Sequence, residues 1–229
     1  MPILTAASMM CMNILDLRSQ IDLLNNRIDY FHVDVMDGHY APNITLSPDF
    51  VKACAPVLLK PIEVHLMVEK PDSFFEPLAM AGVSILSPHA EVINAHAFRT
   101  FNQIERLGCK PGIVINPATP MKDISMYLDR LHMITLMTVD IGYAGQPFIP
   151  QVLKKIEQAR NEKEKNGYRY LIQIDGACNR ATYQDLMSAG AEVLVMGSTG
   201  LFGLDPDLSA ALDKMTIELA DTMEKVGMA

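Results

Sequence analysis

The sequence is short of cations. Nineteen lysines and arginines stand against twenty-seven aspartates and glutamates, giving a net charge of -8 over 229 residues. Nucleic-acid backbones and anionic membranes are bound through basic patches, so this balance argues against both as partners and leaves small phosphates as candidates. Cysteine is sparse as well: Cys11, Cys54, Cys109 and Cys178 are scattered with no C-x-x-C pair. With sixteen methionines exposed to oxidation outside a reducing compartment, that pattern points to the cytoplasm. No stretch approaches the roughly 20 uninterrupted apolar residues of a membrane span. The apolar opening MPILTAASMMCMNILDL has no cation ahead of it, the first being Arg18, so it reads as a strand and a loop and not as an export signal. No linker, low-complexity tract or shift in composition divides the chain.

What is present is a steady alternation. Short β-branched runs occur at Ile3–Ala7, Tyr30–Val35, Ile62–Met67, Val83–Leu86, Pro111–Ile115, Ile134–Val139, Leu171–Ile174 and Glu192–Met196. Between them, Asp16–Leu24, Pro71–Met80, Pro150–Lys165, Asn179–Ala189 and Pro206–Met223 have apolar residues at helical spacing. ITLMTV and VLVMG are continuously apolar, as strands covered on both faces are. Eight such units predict an α/β fold, a (β/α)8 TIM barrel over residues 1–229 as a single domain, in preference to a six-stranded doubly wound sheet. A barrel of this kind carries its chemistry at the C-terminal ends of its strands.

The unusual residues fall at those ends. In FHVDVMDGHYAPN, residues 31–43, His32, Asp34 and Met36 share one face of a strand that is otherwise apolar. An unpaired buried carboxylate is destabilising, so Asp34 requires a hydrogen-bond partner, a metal ion or a substrate. His65 ends the third run and Asp175 the seventh. Two imidazoles and two carboxylates meeting at one barrel mouth make an N2O2 site for Zn2+, Fe2+, Mn2+ or Co2+. The alternative is a set of separate core histidines bonded to backbone carbonyls, with Asp37 and Asp175 serving turns. Four such residues at one mouth favour the metal.

Glycine-rich segments follow the last three runs: DIGYAGQPF at 140–148, DGAC at 175–178 and MGSTGLFG at 196–203. Loops in these positions form the phosphate site of many such barrels, and because the segments contain no lysine or arginine, backbone N–H groups are left to hold the anion. Met36, Met67 and Met137 lie at the same strand ends, either as core filler or as a water-excluding lining. His39, His96 and His132 read as surface residues and Cys11 as an inert thiol. A metal beside a phosphate site and two carboxylates suits one reaction well. The metal polarises the carbonyl of an α-hydroxyketone and stabilises an enediolate, while the carboxylates exchange a proton from opposite faces and invert the carbon.

The segments SMMCMNILDL, FHVDVMDGHYAPNITLSP, EVHLMVEKP, HAEVINAHAFR, GIVINPATP, MTVDIGYAGQPFIP, DGACNRATY and GSTGLF resemble the ribulose-phosphate 3-epimerase family over nearly the whole chain, the H-x-D-x-M-D-G and H-L-M-V pair most specifically. The resemblance implies a ribulose-phosphate-binding barrel and a carbohydrate-phosphate 3-epimerase, an isomerase holding one divalent metal on His32, Asp34, His65 and Asp175. Asp34 and Asp175 would be the acid and base. Ser8, His65, Met36, Met67 and Met137 would touch the substrate, and Gly142, Tyr143, Ala144, Gly145, Gly176, Ala177, Gly197 and Ser198 would cradle its phosphate. The likeness is greatest to the branch acting on D-allulose 6-phosphate, giving D-fructose 6-phosphate; the alternative is D-ribulose 5-phosphate, giving D-xylulose 5-phosphate. It also implies a cytoplasmic homo-oligomer.

The chain departs from the family pattern at Ala7, Ile141, Ala177 and Asn13, which stand where proline, proline, glycine and aspartate are frequent. A barrel lyase or decarboxylase with an Asp-x-Lys-x-x-Asp array is disfavoured, because Asp34, Met36 and Asp37 have no lysine among them. A sugar-phosphate-binding sensor is the non-enzymatic alternative.

Overall fold

The computed structural model describes residues 2–228, so Met1 and Ala229 of the expected 1–229 unit lie outside it. In the described residues nine strands form one sheet: β1 (Leu4–Ser8), β2 (Tyr30–Asp37), β3 (Ile44–Thr45), β4 (Ile62–Met67), β5 (Ile85–Pro88), β6 (Lys110–Ile115), β7 (Met133–Met137), β8 (Leu171–Asp175) and β9 (Val193–Met196). Parallel pairing runs β1-β9-β8-β7-β6-β5-β4-β2, and a β1–β2 pairing closes the ring. β3 is a two-residue antiparallel extension on the end of β2. Eight parallel strands closed on themselves, with helices outside, make the expected TIM barrel.

Among the described residues, eight α-helices cover the ring: α1 (Leu17–Leu24), α2 (Pro48–Cys54), α3 (Asp72–Met80), α4 (Ala90–Ile93), α5 (Ala97–Arg106), α6 (Leu153–Asn166), α7 (Tyr183–Ala189) and α8 (Leu208–Lys225). Local chemistry sets several boundaries. The Ser47 hydroxyl accepts from the Phe50 N–H with Pro48 in the first turn of α2, and Asp207 caps α8 by accepting from the Ser209 N–H. α6 stops at Gly167, whose φ of 69° suits a residue without Cβ. The predicted helix from Asn179 begins only at Tyr183, because Asn179 and Thr182 are engaged in a turn in which the Thr182 hydroxyl donates to the Ala177 carbonyl, 2.6 Å away. Between β6 and β7 the covering element is a 3-10 segment, Met121–Arg130, kinked at Tyr127.

Strand alternation divides the barrel into two environments. Phe31, Val33 and Val35 of β2 and Ile62, Val64 and Leu66 of β4 face outward and pack under the helices. The intervening His32, Asp34 and Met36, with Glu63, His65 and Met67, face the barrel axis, where β2 and β4 pair them as His32 with Glu63, Asp34 with His65 and Met36 with Met67. Ala6, Ile85, Met133, Val193 and Val195 plug the lower end with apolar side chains. Phe75 and Phe101 are fully buried in the outer layer, each contributing on the order of 2–3 kcal/mol by removal from water. Among the described residues, no helix is long and apolar enough to cross a membrane.

Candidate metal and sugar-phosphate site

The axial residues of β2, β4 and β8 converge at the C-terminal mouth. The His32 Nε2 lies 3.2 Å from Asp34 Oδ1 and 3.5 Å from Asp175 Oδ2. The His65 Nδ1 lies 3.4 Å and 3.2 Å from the same two oxygens. One donor atom from each of the four residues falls within 4.8 Å of the others. The Ser8 hydroxyl, at the end of β1, donates to the second oxygen of Asp34 at 2.9 Å. The four residues expected from the sequence are thus brought together, and the first strand fixes the rotamer of one of them.

The surroundings fit a divalent cation. Two anionic oxygens and two imidazole nitrogens are a donor set that Zn2+ and its first-row neighbours accept. His65 Nδ1 is buried without a hydrogen bond of acceptable geometry, although two carboxylate oxygens stand beside it. Both histidines also have their outer nitrogen occupied. His32 Nδ1 is 2.5 Å from Glu63 Oε2, and His65 Nε2 is 2.8 Å from His89 Nε2. Outer partners of this kind orient the inner nitrogen of a ligating imidazole.

The electrostatics make the same demand for positive charge. Burial works against ionisation of Asp34, yet the charge and hydrogen bond of His32 prevail, with the neighbouring His65 adding to them, and hold its carboxyl well below the usual range. Asp175 is lowered too, with burial opposed by the close approach of His32 and His65. Burial would depress His32, but the charges of Asp34 and Glu63 raise it well above its ordinary value; His65 is raised in the same way by Asp175 and Asp34. Two carboxylates therefore stay ionised here by drawing protons onto their neighbours, a role that a bound cation would take over.

Above the cluster lies a cleft. Its walls include Ser8, Asp34, Asp175, the three methionines Met36, Met67 and Met137, and all eight residues expected to hold phosphate, from Gly142 to Ser198. His32 and His65 are fully buried beneath this floor and do not line it. No lysine or arginine lines the cleft among the described residues. Gly176 has φ +107°, and a Cβ there would stand 2.6 Å from Val139 Cγ2, so only glycine fits. Ala177 adopts φ 48°, the left-handed region that favours glycine. The loop after β7 is tied down over the cleft: Asn43 Nδ2 donates to the Gly142 carbonyl at 2.8 Å, and the Tyr143 hydroxyl donates to the Pro42 carbonyl. Ile141 of that loop packs against both methionine clusters.

Several contributors escape a reading of the sequence. Met10 joins Met36 and Met67 in the lining. Glu63 and the pair His89 and Glu91 carry no role in the motif, although each carboxylate sits two residues from a histidine and so on the same strand face or adjoining turn. Asp37 serves a turn, accepting from the N–H groups of His39, Tyr40 and Glu69. His39 is exposed as expected, whereas His96 and His132 are half-buried. Cys11 is half-buried at the cleft wall, its thiol raised chiefly by burial, which keeps it unreactive.

A closed parallel barrel with an imidazole–carboxylate cluster and glycine loops at its mouth defines a TIM barrel of the ribulose-phosphate-binding type. It superposes on the 3-hexulose-6-phosphate synthase of Salmonella typhimurium with a TM-score of 0.70 over 96% of this chain and 100% of that one, at 13% identity, a likeness of fold alone. The model of the ribulose-phosphate 3 epimerase family matches residues 4–202. The ribulose-phosphate 3-epimerase of Bacillus subtilis (strain 168) is 43% identical over 178 residues, 77% of this chain and 82% of that protein. That of Escherichia coli (strain K12) is 39% identical over 193 residues, 84% of each. The chain belongs to the ribulose-phosphate 3-epimerase family and is an isomerase.

Proposed function

We propose that this chain interconverts D-ribulose 5-phosphate and D-xylulose 5-phosphate by metal-dependent epimerisation at C3. The observation that carries the reading is the meeting of His32, Asp34, His65 and Asp175 within 4.8 Å beneath a cleft walled by glycine loops. A divalent cation held by these four would supply Lewis-acid polarisation of the substrate carbonyl. Asp34 and Asp175, both ionised and both reaching the cleft, are the proton carriers: one removes the C3 proton from one face, and the other returns a proton to the opposite face. Ser8 holds Asp34 in place for this step. Met36, Met67 and Met137 keep water from the reacting carbons, and the loops at 142–145, 176–177 and 197–198 hold the phosphate through backbone N–H groups.

Relatives named for ribulose phosphate support the five-carbon substrate over the D-allulose 6-phosphate expected from overall likeness. The six-carbon ketose is the second reading, since C2 and C3 are common to both. Incubation with each ketose phosphate in D2O separates the possibilities. Deuterium at C3, with the higher kcat/KM for D-ribulose 5-phosphate, is the expected result. A higher kcat/KM for D-allulose 6-phosphate selects the second reading, and no label with either leaves a sugar-phosphate sensor. Four unpaired thiols support a cytoplasmic setting. Leu15, 97% exposed, and Ile14 beside it support self-association, which sedimentation measures.

A further inference from the structure

We infer that Glu91 and His89 form a relay that sets the tautomer of His65 and thereby makes Nδ1 its metal-facing atom. The inference rests on the metal reading proposed above and extends it outward by two residues. His65 Nε2 and His89 Nε2 are 2.8 Å apart, both side chains are fully buried, and their ring centroids are 4.9 Å apart. Two nitrogens at that distance share one proton, so one donates and the other must offer a lone pair. The far side of His89 decides which. Its Nδ1 is 3.2 Å from Glu91 Oε2, and a carboxylate there accepts, so the His89 proton sits on Nδ1 and its Nε2 is the acceptor. His65 then carries its proton on Nε2, which would leave the Nδ1 lone pair for a cation held with Asp34 and Asp175.

Glu91 is itself held to this task. Its Oε1 accepts from the Asn116 N–H at 3.0 Å and from the Thr119 hydroxyl, and the Tyr40 hydroxyl donates to Oε2 at 3.2 Å. Asn116 Nδ2 donates in turn to Tyr40, 2.8 Å away, which leaves the Tyr40 proton for Glu91. With every neighbour donating, the carboxylate can only accept. The two metal-facing imidazoles are therefore backed differently. His32 meets a carboxylate directly through Glu63, whereas His65 meets a neutral ring that displaces the next negative charge outward. His89 is a positioning residue: it touches His65 and does not line the cleft.

The test uses the full-length protein and Zn2+, with affinity measured by competition against a chelating dye and tautomers read from two-bond 1H–15N histidine correlations. In the zinc-loaded wild type, His65 is expected to be protonated at Nε2 and His89 at Nδ1. His89→Phe, which removes the acceptor, is expected to weaken zinc binding by about 10- to 100-fold. His89→Gln, whose amide oxygen can accept from His65, should restore most of that loss, a rescue that packing alone would not give. Zinc affinity of His89→Phe within about twofold of wild type, or a His65 protonated at Nδ1, overturns the relay while leaving the metal site standing. A wild type that takes up no zinc overturns the metal reading and the relay with it. Should His89→Phe not fold, the wild-type tautomers alone decide.

Discussion

His32 pairs in register with Glu63 across β2 and β4, and its Nδ1 sits 2.5 Å from a Glu63 carboxylate that is 0% exposed. A carboxylate is retained there in the dry axis of a barrel because it accepts the outer proton of an imidazole whose inner nitrogen faces the ligand cluster. Glu63→Gln keeps the shape and removes the charge. It is expected to lower zinc affinity by about 10-fold or more while the barrel stays folded; unchanged affinity in a calorimetric titration would show that Glu63 is structural only.

In the proposed mechanism Asp34 and Asp175 act as a pair on opposite sides of one carbon. Asp34→Asn and Asp175→Asn should each reduce turnover by at least about 10²- to 10⁴-fold, with far-UV circular dichroism unchanged. Near-normal turnover in either variant removes the two-carboxylate mechanism.

Removing the cation should have the same consequence without mutation. Dialysis against a chelator is expected to abolish epimerisation, and Zn2+, Fe2+, Mn2+ or Co2+ to restore it. Metal analysis that finds nothing bound, together with activity indifferent to chelator, would falsify the Lewis-acid role.

Gly176 and Ala177 predict opposite responses to a single methyl group. A Cβ on Gly176 would meet Val139 Cγ2 at 2.6 Å at φ +107°, so Gly176→Ala should destabilise by about 1–3 kcal/mol and raise KM by displacing the loop. Ala177, at φ 48°, is strained in the reverse sense, and Ala177→Gly should be neutral or stabilise by up to about 1 kcal/mol. Thermal melts of both variants check the pair.

Lys155 gives the fold a pH dependence. Its ammonium donates to the carbonyls of Asn116 and Pro117 at 2.7 and 2.8 Å, and burial, partly countered by the Glu91 charge, lowers it to about 8 from 10.5. Between those two values the unfolded chain binds a proton that the folded chain has released, so stability rises with pH across that window and is lower beneath it. The urea midpoint of wild type minus that of Lys155→Met should therefore increase from pH 7.5 to pH 10. A flat difference would place Lys155 among ordinary surface lysines.

Much of the site was legible because strand periodicity is simple. A histidine and an aspartate two residues apart in a strand share a face wherever the strand lies, and β-branched runs marked every strand of the ring to within a few residues. The helices were less evenly readable. α5 has the helical spacing Ala97, Thr100, Phe101 and Ile104, but lies close behind α4 with no strand between them to mark it off. α2 has only seven residues, too few for a period to emerge.

The sequence by itself determined which side chains face the axis and that glycine loops end the last three barrel strands, because these follow from alternation and spacing along one segment at a time, while the family followed from the resemblance of whole segments. Tertiary structure alone decided the partners. That Glu63 backs His32, that His89 backs His65, and that Pro42 and Asn43 hold the loop at Gly142 are contacts between residues 24 to 101 positions apart. Closing the barrel brings those groups to hydrogen-bonding distance, and no local pattern encodes a distance that only ring closure creates.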